Sequence, residues 1–155
     1  SVVSHLDTVI RELELYLTNT TKEQDAESFH LLRSIPGVGK VLAMSILYEV
    51  HDIARFPTVQ DFASYARLIR CARESAGKRS GTSGSKIGNA HLKWAISEAA
   101  VLMLRHGDVE KLRNRLNRKH GKGKAMGVLT HKLGRTIYYM LLRKKPFDLE
   151  RFLAA

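Results

Sequence analysis

"LLRSIPGVGKVLAMSILYEV", residues 31–50, decides how the chain folds. Apolar residues run at helical spacing on both sides of Pro36, Gly37, Val38 and Gly39. Pro36 disfavours helical backbone at Ile35, and the two glycines open angles closed to other residues. The spacing therefore predicts a helix, a tight turn, and a second helix from Lys40. An apolar residue, Pro-Gly-Val-Gly, Lys and an apolar helix together form the signature of a helix-hairpin-helix. Free N–H groups at the start of its second helix face outward to an anion. Such hairpins hold DNA phosphates without reading bases. Gly37, Val38, Gly39 and Lys40 are the candidate contacts. The same residues also suit a packed αα turn that touches no DNA, and both readings stay open.

Working outward, Val2, Leu6, Val9, Leu13 and Tyr16 alternate at spacings of three and four. They predict a helix with one apolar stripe, suited to a coiled-coil seam. Polar residues 18–26 then read as a connection, which divides the chain into a helical linker over 1–26 and a main unit over 27–155. Thr58 with Asp61 resembles a capping box opening a helix over 59–68. Asn89 can cap a helix over 90–105, and Asp108 a basic helix carrying Leu112 and Leu116. The last long helix is expected from about Ala125 to Lys144, stopped by Pro146. No stretch alternates as a strand, so the expected fold class is all-α, interrupted by a long Gly/Ser-rich loop, "ESAGKRSGTSGSKIGN", at 74–89. Ser1 already lies in a helical pattern, and the chain is expected to be a piece of a longer protein.

The charge is uneven. There are 26 bases against 15 acids, net +11. Residues 1–66 hold 5 bases and 9 acids, whereas residues 67–145 hold 20 bases and 4 acids. A basic block of that density is the footprint of a phosphate-bearing partner. Within it "KLRNRLNRKHGKGK", residues 111–124, interleaves bases with Leu112 and Leu116, giving one buried stripe and one cationic surface. Arg113, Arg115, Arg118, Lys119, Lys122 and Lys124 are the candidate contacts to a nucleic-acid backbone, a solvated helix face being the alternative. The single cysteine, Cys71, excludes an internal disulfide and suits a reducing cytoplasm. No apolar run approaches the roughly 20 residues of a membrane span, so no membrane partner is expected.

The turn at 36–39, "FASYARL" at 62–68, Ser75, Gly77-Lys78, "SKIGN" at 85–89 and "HLKWAISEAA" at 91–100 form an ordered series. This series resembles the C-terminal transposase domain of the IS one-ten family of insertion-sequence transposases, over about residues 27–145. Those enzymes are DEDD-type recombinases guided by a bridge RNA. The resemblance implies DNA transposition, with this domain supplying a serine nucleophile. It also implies a RuvC-like N-terminal domain, outside this chain, holding Mg2+ on acidic residues. No cofactor or metal site is implied in the chain itself, which alone is expected to be weak or inactive in strand cleavage. DNA, the bridge RNA, the RuvC-like domain and further copies of the chain are the implied partners, in a bacterial or archaeal cell.

The family's serine lies about eleven residues before the Lys of a Lys-x-Gly-Asn element. Ser75 lies eleven before Lys86, and Lys86-Ile87-Gly88-Asn89 matches that element. Ser75 is thereby carried over as nucleophile. Ala76 stands where the family has a glycine, the usual upstream proline is replaced by "IRCARE", and Ser80, Ser83 and Ser85 lie near enough to stay open as alternatives. A serine attacking a phosphodiester needs an exposed hydroxyl and cations facing the charge that grows on the phosphoryl oxygens. Arg73, Lys78, Arg79 and Lys86 are placed to supply them, and Asn89 joins the candidate nucleic-acid contacts. The acids of the basic block, Glu74, Glu98, Asp108 and Glu110, show no two-metal spacing.

Other candidates weigh less. His131, Arg135 and Tyr138 or Tyr139 evoke a tyrosine recombinase, but Tyr138 continues the apolar row Leu133, Ile137, Leu141. Trp94 reads as core, and His106 and His120 as capping or solvated. The competing functional reading is a non-catalytic helix-hairpin-helix module that binds DNA without cleaving it. An assembly domain whose charge serves solubility is a third.

Overall fold

The computed structural model describes residues 1–69, 72–82 and 87–154, with side chains at all of these except 72–75 and 79–82. Helix α1 (Val2–Arg33) starts on Ser1, whose hydroxyl accepts the Ser4 N–H. The polar connection expected at 18–26 shrinks to a break at Asp25 (φ −151°, ψ 70°). In the preceding turns Thr18 and Thr21 donate to the carbonyls of Glu14 and Leu17, each at 2.7 Å. Both threonines are buried, and their hydroxyls reach Met44 Sδ (3.4 Å) and Tyr48 Oη (3.3 Å). Asp25 then caps the second segment by accepting the Ser28 N–H at 3.0 Å.

Helix α2 (Lys40–Val50) follows the turn at 36–39, and a 3₁₀ turn, Ile53–Arg55, leads to α3 (Val59–Tyr65). The capping box is present: Thr58 accepts from Asp61 N–H, and Asp61 from Thr58 N–H. Helix α3 ends earlier than expected because the backbone turns left-handed at Arg67 (φ 54°). Beyond the paired strands described next lie α4 (Ala90–Met103), α5 (Gly107–His120), α6 (Lys122–Arg143) and α7 (Leu149–Ala154). Asn89 caps α4 as expected, its Oδ1 accepting the Leu92 N–H at 2.9 Å. Asp108 does not cap α5: His106 holds that position with no side-chain bond, and Asp108 sits in the first turn, paired with Lys111 at 3.0 Å.

Among the described residues the fold is helical apart from one excursion. The segment expected as a loop pairs as an antiparallel hairpin, β1 (Ala72–Ser75) with β2 (Lys78–Thr82). Ala76 (φ 52°) and Gly77 (φ 74°) both sit in the left-handed region that a type I′ two-residue hairpin turn requires. Polar residues along both strands hide this pairing from any apolar alternation.

Helix α6 is the axis of the core. Its Leu129, Leu133, Ile137 and Leu141 are buried against Ile96, Ala99 and Met103 of α4, with Phe29, Leu32, Ile35, Ile46 and Phe62 completing the cluster. Truncating any one of the buried leucines to alanine costs about 2–5 kcal/mol.

Candidate nucleic-acid interface

Both ends of the hairpin insert are pinned to the C-terminal turn of α3. On the way in, Leu68 N–H donates to Ala63 O at 2.8 Å, and the Leu68 side chain fills the space where a Cβ on Gly134 of α6 would stand. On the way out, Gly88 (φ +103°) packs so closely that a Cβ would lie 2.6 Å from Tyr65 O, and Asn89 N–H donates to that carbonyl, also at 2.6 Å. Only glycine meets both demands at 88.

Asn89 is fully engaged. Besides capping α4, its Nδ2 donates to Glu49 Oε2 (2.5 Å) and to Tyr65 Oη (3.0 Å). The Arg55 guanidinium lies 4.7 Å from the ring centroids of both Phe56 and Tyr65 and donates to Glu49 O. The Asn89 hydrogen bond leads in lowering the Tyr65 phenol pKa, against burial and aided by Arg55. The structure thus places Asn89 in a clamp with Glu49 and Tyr65. Sequence reading missed Glu49 and Tyr65, because partners 40 and 24 positions from Asn89 leave no local signal.

Ser75 is the last residue of β1, directly opposite Lys78. Arg79 faces Glu74, while Arg73 falls at the irregularity between Ala72 and Glu74. Ser80 lies in β2. Lys86, Ser83 and Ser85 lie outside the described residues.

The turn at 36–39 divides its residues between two tasks. Gly37 (φ +85°) lies where a Cβ would be 2.9 Å from the Leu102 backbone, and Val38 is buried, so these two pack the turn onto α4. Gly39 and Lys40 are exposed at the α2 N-terminus, where Gly39 caps without a side-chain bond.

Residues 111–147 contain 12 bases and no acid. Arg115, Arg118, Lys119, Lys122 and Lys124 are all exposed and form a cationic ridge along the α5–α6 corner. Arg113 differs. It is half-buried and turned inward, donating to Asn114 Oδ1 (3.2 Å) near Glu110 (3.7 Å).

Tyr138 is 3% exposed and its hydroxyl donates to Phe56 O at 3.1 Å, which removes it from contact with a phosphodiester. Trp94 corrects the reading that placed it in the core. It is 52% exposed, because Leu92, Ile96, Ala99 and Met103 take the inner face of α4 and leave Trp94 on the outer one. Among the described residues no three His, Cys, Asp or Glu side chains gather as a metal site, and no helix is long and apolar enough to cross a membrane.

The chain is 26% identical over 131 residues to the transposase for insertion sequence element IS1111A of Coxiella burnetii, an alignment covering 78% of the chain and 35% of that relative. The chain therefore spans about a third of the relative's length. The family model described as transposase IS116/IS110/IS902 family matches residues 29–117, from the end of α1 through the hairpin and α4 into α5. With more than half its residues matched, this chain belongs to the transposase IS116/IS110/IS902 family.

Proposed function

We propose that the chain is the nucleophile-bearing part of a transposase that cleaves and rejoins DNA, with Ser75 as the attacking group. Family membership is the observation that carries this reading. The hairpin adds support, since β1 ends on Ser75 beside a tight turn with Lys78 opposite. In this reading Ser75 Oγ attacks the phosphorus and one strand end stays esterified to the serine. The other end leaves as a free hydroxyl that takes up the proton. The bond energy retained in the ester allows the reverse step to rejoin strands. Lys78, with Arg73, Arg79 and Lys86, offsets charge on the phosphoryl oxygens. The ridge from Arg115 to Lys124 holds the nucleic-acid backbone.

A RuvC-like domain with Mg2+, a guide RNA and further copies of the chain complete the proposed assembly. Among the described residues no acids gather as that metal's site, and no step here is routed through it. A second reading, binding without cleavage, draws on the exposed Gly39 and Lys40 at the open start of α2.

The experiment uses full-length protein with its RNA and labelled donor and target DNA, and looks for an SDS-resistant protein–DNA adduct. The adduct is expected to vanish in Ser75→Ala and persist in Tyr138→Phe. Persistence in Ser75→Ala moves the nucleophile to Ser80, Ser83 or Ser85. DNA binding with no adduct from any version favours the binding module.

A further inference from the structure

A groove of about 1030 Å³ runs between α6 and the tail that follows it. Its floor is one face of α6, on which Lys132, Arg135, Tyr139 and Arg143 recur at spacings of three and four. Its far wall is the tail over 145–152, anchored where Phe147 N–H donates to Ser34 Oγ at 2.8 Å and where Phe152 is buried. The groove is therefore part of the packed structure.

Bases outnumber acids in its lining, with Lys132, Arg135 and Arg143 from α6 and Lys145 and Arg151 from the far wall against Asp148 and Glu150. Asp148 already accepts the Arg151 N–H at 3.0 Å. The Lys132 ammonium is closed off from solvent, lies 5.1 Å from the Phe152 ring centroid and has no hydrogen-bond acceptor among the described residues. Burial, then the charge of Arg115, pull its pKa below the ordinary lysine value. Closed off as it is, that ammonium adds positive potential beneath the groove, and contact with a ligand falls to Arg135, Arg143, Lys145 and Arg151 along the lining. The Arg143 guanidinium lies 4.5 Å from the Tyr139 ring centroid, and Phe147 borders the same space.

We infer that this groove, lined by neither Ser75 nor any residue of the α5–α6 ridge, holds the phosphodiester backbone of a single nucleic-acid strand. Its volume is that of a cleft for a small ligand, enough for a few nucleotides, and the stacked, paired bases of a duplex could not turn onto its rings. Cations and aromatic rings in one groove are the parts from which single-strand sites are built. Lys132 and Arg135 lie about 4.5 Å apart along the α6 axis and Arg143 about 12 Å beyond, a row of charge that tracks a backbone rather than one anion. Tyr139 and Phe147 give bases a face, which an acidic peptide would not use. The inference goes beyond the proposed strand cleavage and does not depend on it.

The test titrates the chain with fluorescein-labelled U12, dT12 and a 12-base-pair duplex over a range of KCl concentrations. Replacing Arg135→Gln together with Arg143→Gln removes two phosphate contacts. The slope of log affinity against log salt for single strands is expected to fall by about 1.4, with the duplex slope unchanged. Lys145→Gln with Arg151→Gln, both exposed on the opposite wall, is expected to do the same without touching α6. Unchanged single-strand slopes in both pairs overturn the inference, as does an equal fall for the duplex or equal competition by poly-glutamate. Of U12 and dT12, the strand that loses more slope is the groove's occupant, and equal losses assign the groove to the backbone they share.

Discussion

Ala76 shows how one side chain can be out of step with the backbone beneath it. It holds φ 52° as the first central residue of the hairpin turn, where an L-residue with a Cβ is strained. Glycine is the residue this backbone asks for. Ala76→Gly is expected to stabilise the hairpin by up to about 1 kcal/mol. Amide hydrogen exchange of the strand residues reads this as a several-fold rise in protection, and unchanged or weaker protection would count against the turn assignment. Gly37 and Gly88 mark the opposite case. There the sequence signal was sound because the conformation and the close neighbours both exclude a side chain. What Gly37 does with that freedom, packing on Leu102, could not be told from a phosphate contact without the neighbour in view.

At the scale of elements, legibility followed local physics. The helices on either side of 36–39, the capping box of α3 and the Asn89 cap are all written in adjacent residues. The hairpin was not, because neither strand has an apolar face to bury. Trp94 misled because its apolar ring suggests core. It lies two positions from both Leu92 and Ile96, and so off the face that Leu92, Ile96, Ala99 and Met103 already mark. The Asp25 break hid among polar residues, yet it has distant support. Burial tends to raise the Asp25 carboxyl pKa, but the bonds from Ser28 and the charge of Lys144 outweigh it and lower the pKa. Lys144 Nζ also donates to Ser28 Oγ at 2.7 Å, tying the end of α6 to the bend in α1. Helix α6 makes its own prediction through His131, whose pKa is lowered by burial and by the charge of Arg135. The unfolded chain then takes up a proton before the folded one does. The stabilising contribution is whole above the ordinary value of 6.5 and is lost as pH falls through the lower folded-state value. Thermal melts at pH 7.5 and pH 5.5 should differ less in His131→Gln than in the parent; an equal gap would show that His131 carries none of the effect.

Taken whole, the molecule separates its charge along the chain. Acids gather over 1–66, bases over 67–145, and the ridge, the groove and the hairpin all draw on the second set. That much of the candidate site could be read from composition alone. What composition could not reveal is the clamp of Glu49, Tyr65 and Asn89, which joins residues from α2, α3 and the start of α4. The clamp also means that the hairpin insert leaves and rejoins the body at one place, since Leu68 bonds to Ala63 and Asn89 to Tyr65 on the same helical turn. A short bridge of glycine and serine in place of residues 69–87 spans such a gap at small entropic cost. The shortened protein is expected to keep the helical circular dichroism and salt-dependent duplex binding of the parent while forming no adduct in the full-length assembly. Loss of helical signal would show that the insert holds up the body. If the body stands, the insert is a detachable cassette, and inserts from other transposases of the family could be exchanged on one unchanged chassis, so that the chemistry of the tip is compared without altering what carries it.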